Sequence, residues 1–321
     1  MAKQITTLGD LQKSAVRYQK DLLIMPVTGA QATLQHMRGM PGLMGRVVLG
    51  QLDGDAELGP YKHTRKANGD WKITPRTLEV YLGNCAYDFD PNDVWGTIYG
   101  SLVTKGEGLK NVDINKSILM LVAGKLGRKL NMAIWGAVRN ESGDTTKDLF
   151  NGFDTITKTE ITAGNIASDK GNYLELSAAI DETNAIDTFN SIYDAADDEL
   201  QGQRVKIYCT KDQYMAYNRN YQLLHGALPY NQEFKKTYLE GTDNLWEFCP
   251  MASKKGSPYI HIAPQNNLVY GYGAGDNPGE CLAIGKYEPW AITLEAAMAF
   301  GVQFRTLSPE QLLVAKLKGE E

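Results

Sequence analysis

Residues 115–139, NKSILMLVAGKLGRKLNMAIWGAVR, form the longest strongly periodic stretch of the chain. Ile118, Val122, Leu126, Leu130, Ile134 and Ala137 recur every three or four residues, which lays them along one face of a helix. Asn115 is the expected N-cap, and Asn140-Glu141-Ser142-Gly143 the expected stop. At ~1.5 Å per residue such a rod runs to roughly 37 Å, long for a helix inside a globular core. It also carries Lys116, Lys125, Arg128, Lys129 and Arg139 and no Asp or Glu, in a chain whose formal net charge is -5. One basic element stands inside an acidic protein.

The 321 residues are 43% hydrophobic and 22% charged, a composition that supports buried cores rather than global disorder. The acidic balance argues against a free-standing nucleic-acid binder, which needs a basic footprint over the whole domain. The start, MAKQITTLGDLQKSAVRYQKD, lacks the apolar run of a signal peptide, and the runs at 118–123 and 296–300 are too short to cross a bilayer. A soluble protein is expected. Cys85, Cys209, Cys249 and Cys281 are dispersed without a CxxC pair, so reduced thiols are expected rather than disulfides or zinc ligation.

Upstream of the helix, residues 1–28 read as an arm. Residues 28–45, TGAQATLQHMRGMPGLMG, are rich in Gly and Met and suit an extended connector that contacts something outside its own domain. Residues 46–82 carry strand and turn signals, with Asn68-Gly69 as the hairpin mark. The reading is a long hairpin with Lys62, His63, Arg65 and Lys66 near its tip and too few apolar residues for a core of its own. Residues 84–110 look irregular.

Downstream, 155–161 and 165–167 look like short strands, and 173–179 like a helix or turn. A helix is expected over 187–200, a strand over 204–209 and a helix over 211–224. Further strands are expected at 245–248, 259–262 and 268–272. His261, in Tyr-Ile-His-Ile, is expected to point outward from its strand. Residues 291–305 alternate, with Phe300, Val302 and Phe304 on one face. Together with 312–317 they predict a closing strand pair that packs beside the long helix.

Chemistry is sparse. GYGAGDNPG at 271–279 ends in a turn where a dinucleotide loop would open a helix, and GKLGRK at 124–129 lies within the predicted helix without Walker spacing. The four histidines are scattered, and no nucleophile context occurs. Tyr214, Tyr217 and Tyr221 recur at helical spacing and read as a packing face rather than a base-stacking platform. No catalytic constellation assembles, and no cofactor or metal is expected.

The order of parts is the informative signal: arm, long hairpin, long helix, compact α+β domain, returning strands. In this it resembles the major capsid protein of tailed bacteriophages, with the HK-97-type fold. Several stretches resemble segments of one branch of these proteins: LQHMRGMPGLMGRVVLGQLDGDAELGPY at 34–61, WKITPRTLEVYLGNCAYDFDPNDVWGTIYGS at 71–101, KLGRKLNMAIWGAVRNESGDTTKDLFNGFDTIT at 125–157, PYNQEFKKTYLEG at 229–241 and MAFGVQFRTLSPEQLLVAKL at 298–317.

The resemblance implies an α+β fold with an N-terminal arm at 1–40 and an extended β-hairpin loop at 41–82. A peripheral domain would take 83–182 and 288–321 with the spine helix at 115–139, and an axial domain 183–287. It implies no enzyme but a self-assembling protein of the virion capsid, made in the bacterial host cytoplasm, with pentamers and hexamers enclosing double-stranded DNA. Its partners would be further copies of itself, separate scaffold, portal and decoration proteins, and packaged DNA, with no membrane. The short arm leaves no room for a cleaved scaffolding segment, so a separate scaffold or an already processed chain is expected. Met37, Met40, Met44, Tyr61 and Trp71 are the expected apolar contacts to a neighbouring subunit, and Arg46, Lys62, Arg65 and Lys66 the polar ones. Lys125, Arg128 and Lys129 are the expected DNA-facing cations. The alternative is a phage-associated nucleic-acid-binding accessory protein that uses the basic helix 115–139.

Overall fold

The computed structural model describes residues 26–27, 29–56, 60–61, 63, 69–89, 114–226, 238–273, 280–285 and 292–317, apart from the side chains of 51–56, 69–74, 89, 114–121, 282, 284 and 292. Two five-stranded sheets and a separate two-stranded ribbon make up the architecture among these residues.

The first sheet is built from β1 (Arg38–Pro41), β4 (Tyr81–Phe89), β9 (Leu268–Tyr272), β10 (Cys281–Gly285) and β11 (Ile292–Phe304). Its order is β1-β9-β11-β10, with β4 also paired to β11. The thirteen residues of β11 are long enough to bind β4 and β10 over their first part and β9 over their last. The ribbon pairs β2 (Arg46–Ala56) with β3 (Gly69–Glu79) in an unbroken antiparallel register from Arg46↔Glu79 to Ala56↔Gly69. Gly69 opens the second strand, so the Asn-Gly pair does not make a two-residue turn, and the connection occupies 57–68.

The second sheet, in the order β5-β12-β8-β6-β7, joins β5 (Tyr173–Glu175), β6 (Val205–Thr210), β7 (Trp246–Met251), β8 (Tyr259–Ala263) and β12 (Leu313–Lys316). The two predicted closing strands therefore part company: β11 crosses the first sheet and β12 enters the second.

Both faces of the second sheet are covered. Val205, Ile207, Cys209, Phe248, Ile260, Ile262, Leu313 and Ala315 join a core with Phe189 and Ile192 of α4 (Ala185–Asp194) and Tyr217 of α6 (Lys211–His225). The alternate residues Tyr208, Cys249, Met251, Tyr259 and Val314 join a second core. That core is filled by Leu130, Ala133, Ile134 and Trp135 of α2 (Ile114–Gly136), by Phe153 of α3 (Phe153–Thr162), and by Phe300, Val302 and Phe304 of β11. A sheet packed on two sides reads as near-continuous burial, and all five residues of β8 are buried.

Several local expectations change. The long helix begins at Ile114, so Asn115 lies inside it, and it ends at Gly136, before the predicted stop. Ala137 leaves the helix yet stays fully buried. The chain then passes so close that a Cβ on Gly152 would lie 2.1 Å from the carbonyl oxygen of Trp135. Gly152 is the N-cap of α3, so 155–161 is helical, not a strand. Its Thr and Ile residues favour strands locally, but the buried faces of Phe153 and Thr157 are set at helical spacing. Residues 165–166 form bends and Ala167 caps a short 3-10 turn, while 173–175 are the strand β5, parallel to β12. The helix expected over 187–200 breaks at Ala195 into α4 and the single turn α5 (Asp198–Gln201), which Asp197 caps by accepting a hydrogen bond from the Glu199 amide. Residues 84–89, expected to be irregular, belong to the strand β4. The rest of that stretch, 90–110, lies outside the described residues.

The connector before the hairpin is not free. Ala30, Leu34 and Met37 are buried in the core of α2, around the short helix α1 (Gln31–Leu34), and β1 adds a parallel edge to β9. The Tyr208 hydroxyl donates to the His36 carbonyl at 2.5 Å, tying this segment to the second sheet. Gly127 admits the approach, since a Cβ there would lie 2.9 Å from the Cα of Gly29.

Candidate functional site

The ribbon is clamped at its root. Arg76 of β3 donates to Glu160 of α3 at 2.7 Å, to the Phe304 carbonyl at 3.1 Å and to Gln303 at 3.1 Å. Its side chain is only 12% exposed. Charge-assisted bonds of this sort, shielded from water, hold an element in one direction better than a surface pair does. On the outer side Arg46 pairs with Glu79 at 2.7 Å, the Tyr81 hydroxyl donates to Glu79, and the Arg139 guanidinium stacks 3.5 Å from the centre of the Tyr81 ring. Beneath the root β11 passes so closely that a Cβ on Gly301 would lie 2.0 Å from the Glu79 carbonyl oxygen. An open cleft of about 380 Å³ beside it is lined by Pro75, Arg76, Glu79, Tyr81, Asn151 and Glu160 among others. These groups position a ribbon; they do not form a reacting centre.

The residues expected to meet a neighbour fall into four groups. Met44 and Tyr61 are exposed, at 57% and 91%, and Arg46 is exposed beside Glu79. Met37 is 4% exposed and belongs to the chain's own core, which corrects its assignment as an outward contact. Met40 is half-buried against Leu49, Leu78 and Val269. Trp71 stands in β3 with its side chain outside the described residues, as are Lys62, Arg65 and Lys66 entirely. On α2, Lys125, Arg128 and Lys129 are all exposed, while Val122, Leu130 and Ile134 on the opposite side are buried. Lys125 Nζ lies 5.7 Å from the centre of the Tyr87 ring. The tyrosine row on α6 is a packing face: Tyr217 is fully buried, with ring centroids 4.7 Å from Phe248 and 5.8 Å from Phe189.

A buried polar cluster has no counterpart in the sequence reading. Lys254, at the end of a single 3-10 turn after β7, is 0% exposed. Its Nζ donates to Asp154 Oδ1 at 3.2 Å, Ser257 Oγ at 3.0 Å and His261 Nδ1 at 2.9 Å, and stands 3.8 Å from the centre of the Trp135 ring. Far from pointing outward, His261 is 0% exposed, on the face of β8 that meets α2 and α3. An ammonium only donates, so Nδ1 accepts, and the neutral ring carries its proton on Nε2, which donates to Thr157 Oγ1 at 2.9 Å. The cluster links α2, α3, β8 and the turn after β7. The one sequence signal for it is the unbroken apolar setting of His261 in YIHIA, which suits a strand covered on both faces.

Burial, and then the Lys254 charge, hold the His261 pKa well below its ordinary 6.5. The unfolded chain therefore binds a proton near pH 6.5 that the folded chain refuses. The stability linked to His261 is present above pH 6.5 and is lost as pH falls toward the depressed value. We expect the melting temperature of the unassembled chain to drop as pH is lowered from 7 to 5, and to drop less in His261→Gln.

No family model and no curated protein matches the chain. Solved structures do, over nearly its whole length. The capsid of a native GTA particle matches with a TM-score of 0.56 at 13% identity, covering 90% of both chains. The satellite phage P4 procapsid, solved with its size determination (Sid) protein, matches at 0.53 and 11% identity, covering 90% of this chain and 96% of that one. The chain has the HK-97-type fold of tailed-phage capsid proteins. The capsid of Myoviridae phage XM1 agrees, with a TM-score of 0.52 at 10% identity over 89% and 91% of the two chains. The long helix expected from the sequence is present as α2, and the expected hairpin strands are present as β2 and β3.

Proposed function

We propose that the chain is a major capsid protein that self-assembles as pentamers and hexamers into an icosahedral head around double-stranded DNA, without catalysis. The observation that supports this most is the ribbon β2–β3, a two-stranded sheet that pairs with no other described strand while its root is fixed by Arg76 and Glu160. A ribbon of this kind is marginal in water and gains stability by lying on another surface, which a neighbouring copy supplies in a ring. In this reading residues 1–40 are the arm and 41–82 the extended loop. The peripheral domain is 83–182 with 288–321, and the axial domain is 183–287. Met40, Met44, Arg46, Tyr61, Lys62, Arg65, Lys66 and Trp71 serve the subunit contact, while a separate scaffold and a portal complete the head.

The purified chain should give rings, shells or lattice fragments by size-exclusion chromatography with negative-stain imaging. Replacing residues 50–75 by an Asn-Gly turn keeps Arg76 and its Glu160 bridge, and should leave a folded chain that forms no shells. Lys125, Arg128 and Lys129 are assigned to packaged DNA through non-specific phosphate contact. Their combined replacement by Gln should leave shells intact and weaken genome retention, whereas loss of assembly would make them structural. A stable monomer that binds DNA with a steep salt dependence would instead select the accessory-protein reading.

A further inference from the structure

Lys254 and Asp154 meet where water has little access: the lysine side chain is 0% exposed and the aspartate side chain 10%. Two charges there are expensive to desolvate. Their placement offers a way to remove both. Nζ and Oδ1 are 3.2 Å apart, a hydrogen bond that holds the amine against the carboxyl group whose carbon it would attack. His261 Nδ1 accepts from Nζ at 2.9 Å and lies 4.0 Å from Asp154 Oδ1, so one basic nitrogen serves both the amine and the oxygen. Ser257 at 3.0 Å and the Trp135 face at 3.8 Å hold the amine from two further sides. Burial also disfavours the ammonium form of Lys254 and so favours the nucleophilic free amine.

We propose that Lys254 and Asp154 condense into an intrachain isopeptide bond, with His261 as the proton carrier. One proton first passes from the ammonium to the carboxylate, giving a neutral amine and a neutral carboxylic acid. The Nζ lone pair attacks Cγ of Asp154 and the N–C bond forms. His261 Nδ1 takes a proton from Nζ and returns it to the hydroxyl on Cγ; the C–O bond breaks and one water leaves. The histidine ends as it began, and no oxidant, metal or cofactor enters. The neutral amine and acid are the minor form of the pair, so formation of the N–C bond is slow and the product accrues with time. The product closes a loop between residues 100 positions apart and fastens α3 to the turn after β7.

The test is the intact mass of the purified full-length chain over time, and it does not depend on assembly. The chain should lose about 18 Da, one water, from its sequence mass. Tryptic digestion should yield a branched peptide joining Lys254 to Asp154. Lys254→Met and Asp154→Ala should keep their full sequence masses, and His261→Gln, which can still accept from Nζ but not carry a proton, should lose water at least tenfold more slowly. A wild-type chain that stays at full mass with both peptides unlinked after prolonged incubation would overturn the bond. Condensation at an unchanged rate in His261→Gln would overturn the role given to His261.

Discussion

Asp154→Ala is expected to destabilise the unassembled chain by about 3–5 kcal/mol, the usual result of removing one partner of a buried charge pair. Lys254 would keep its amine at 0% exposure, with Ser257 and neutral His261 as its remaining polar partners among the described residues. The direction of the effect follows from burial: the lysine pKa lies below its ordinary 10.5, so retaining the charge inside already costs stability at neutral pH, and Asp154 offsets that cost. Removing both charges should cost far less. Asp154→Leu with Lys254→Met replaces the pair by apolar groups of similar volume and is expected to lie within about 1 kcal/mol of wild type or above it. Urea denaturation at a concentration too low for assembly measures both, since assembly would otherwise add its own linkage. A single variant as stable as wild type would show that Lys254 finds another route to neutrality or to water. Both comparisons refer to chain of full sequence mass; once the isopeptide bond forms, wild type gains a cross-link that both variants lack, and only the order of single below double is kept.

Trp135→Ala should cost a similar ~3–5 kcal/mol, the range for truncating a large core aromatic. Trp135 is 1% exposed in the last turn of α2 and lies at the junction of three elements, with ring centroids 5.5 Å from Phe153, 5.9 Å from Tyr208 and 5.4 Å from His261. Its face also covers Lys254. The loss therefore combines a cavity with water entry to the charged cluster. Trp135→Phe keeps much of the packing, and loss of the indole N–H leaves no partner unsatisfied, because Nε1 has none among the described residues. We expect less than half the effect of alanine, read by thermal and urea unfolding. Equal effects from the two variants would mean that the ring edge, and not its bulk, secures the junction.

Elements with one wet face were legible from periodicity. The buried side of α2 at Val122, Leu130 and Ile134, the hairpin strands, α6 and the closing face of Phe300, Val302 and Phe304 all stand where their spacing predicts. Periodicity failed where both faces are covered. In β8 every residue is buried, so alternation no longer separates inside from outside, and His261 was assigned to solvent. Lys254 sits in SKKGS, a sequence that reads as a solvated turn; only the arrival of Asp154 from α3, 100 positions away, makes its burial tolerable. Residues 28–45 misled for a related reason: small residues that look like a flexible connector also allow the close approach of Gly29 to Gly127 and the seating of Ala30, Leu34 and Met37 in the core.

The sequence by itself determined the order of parts, the positions of most helices and strands, and the presence of a ribbon without a core, because these depend on local spacing and turn chemistry. The tertiary structure alone decided that β11 and β12 enter different sheets, that the segment before the ribbon is packed, and that a lysine, an aspartate and a histidine share one dry site. Those outcomes depend on contacts between residues far apart in the chain, whose burial no local pattern encodes.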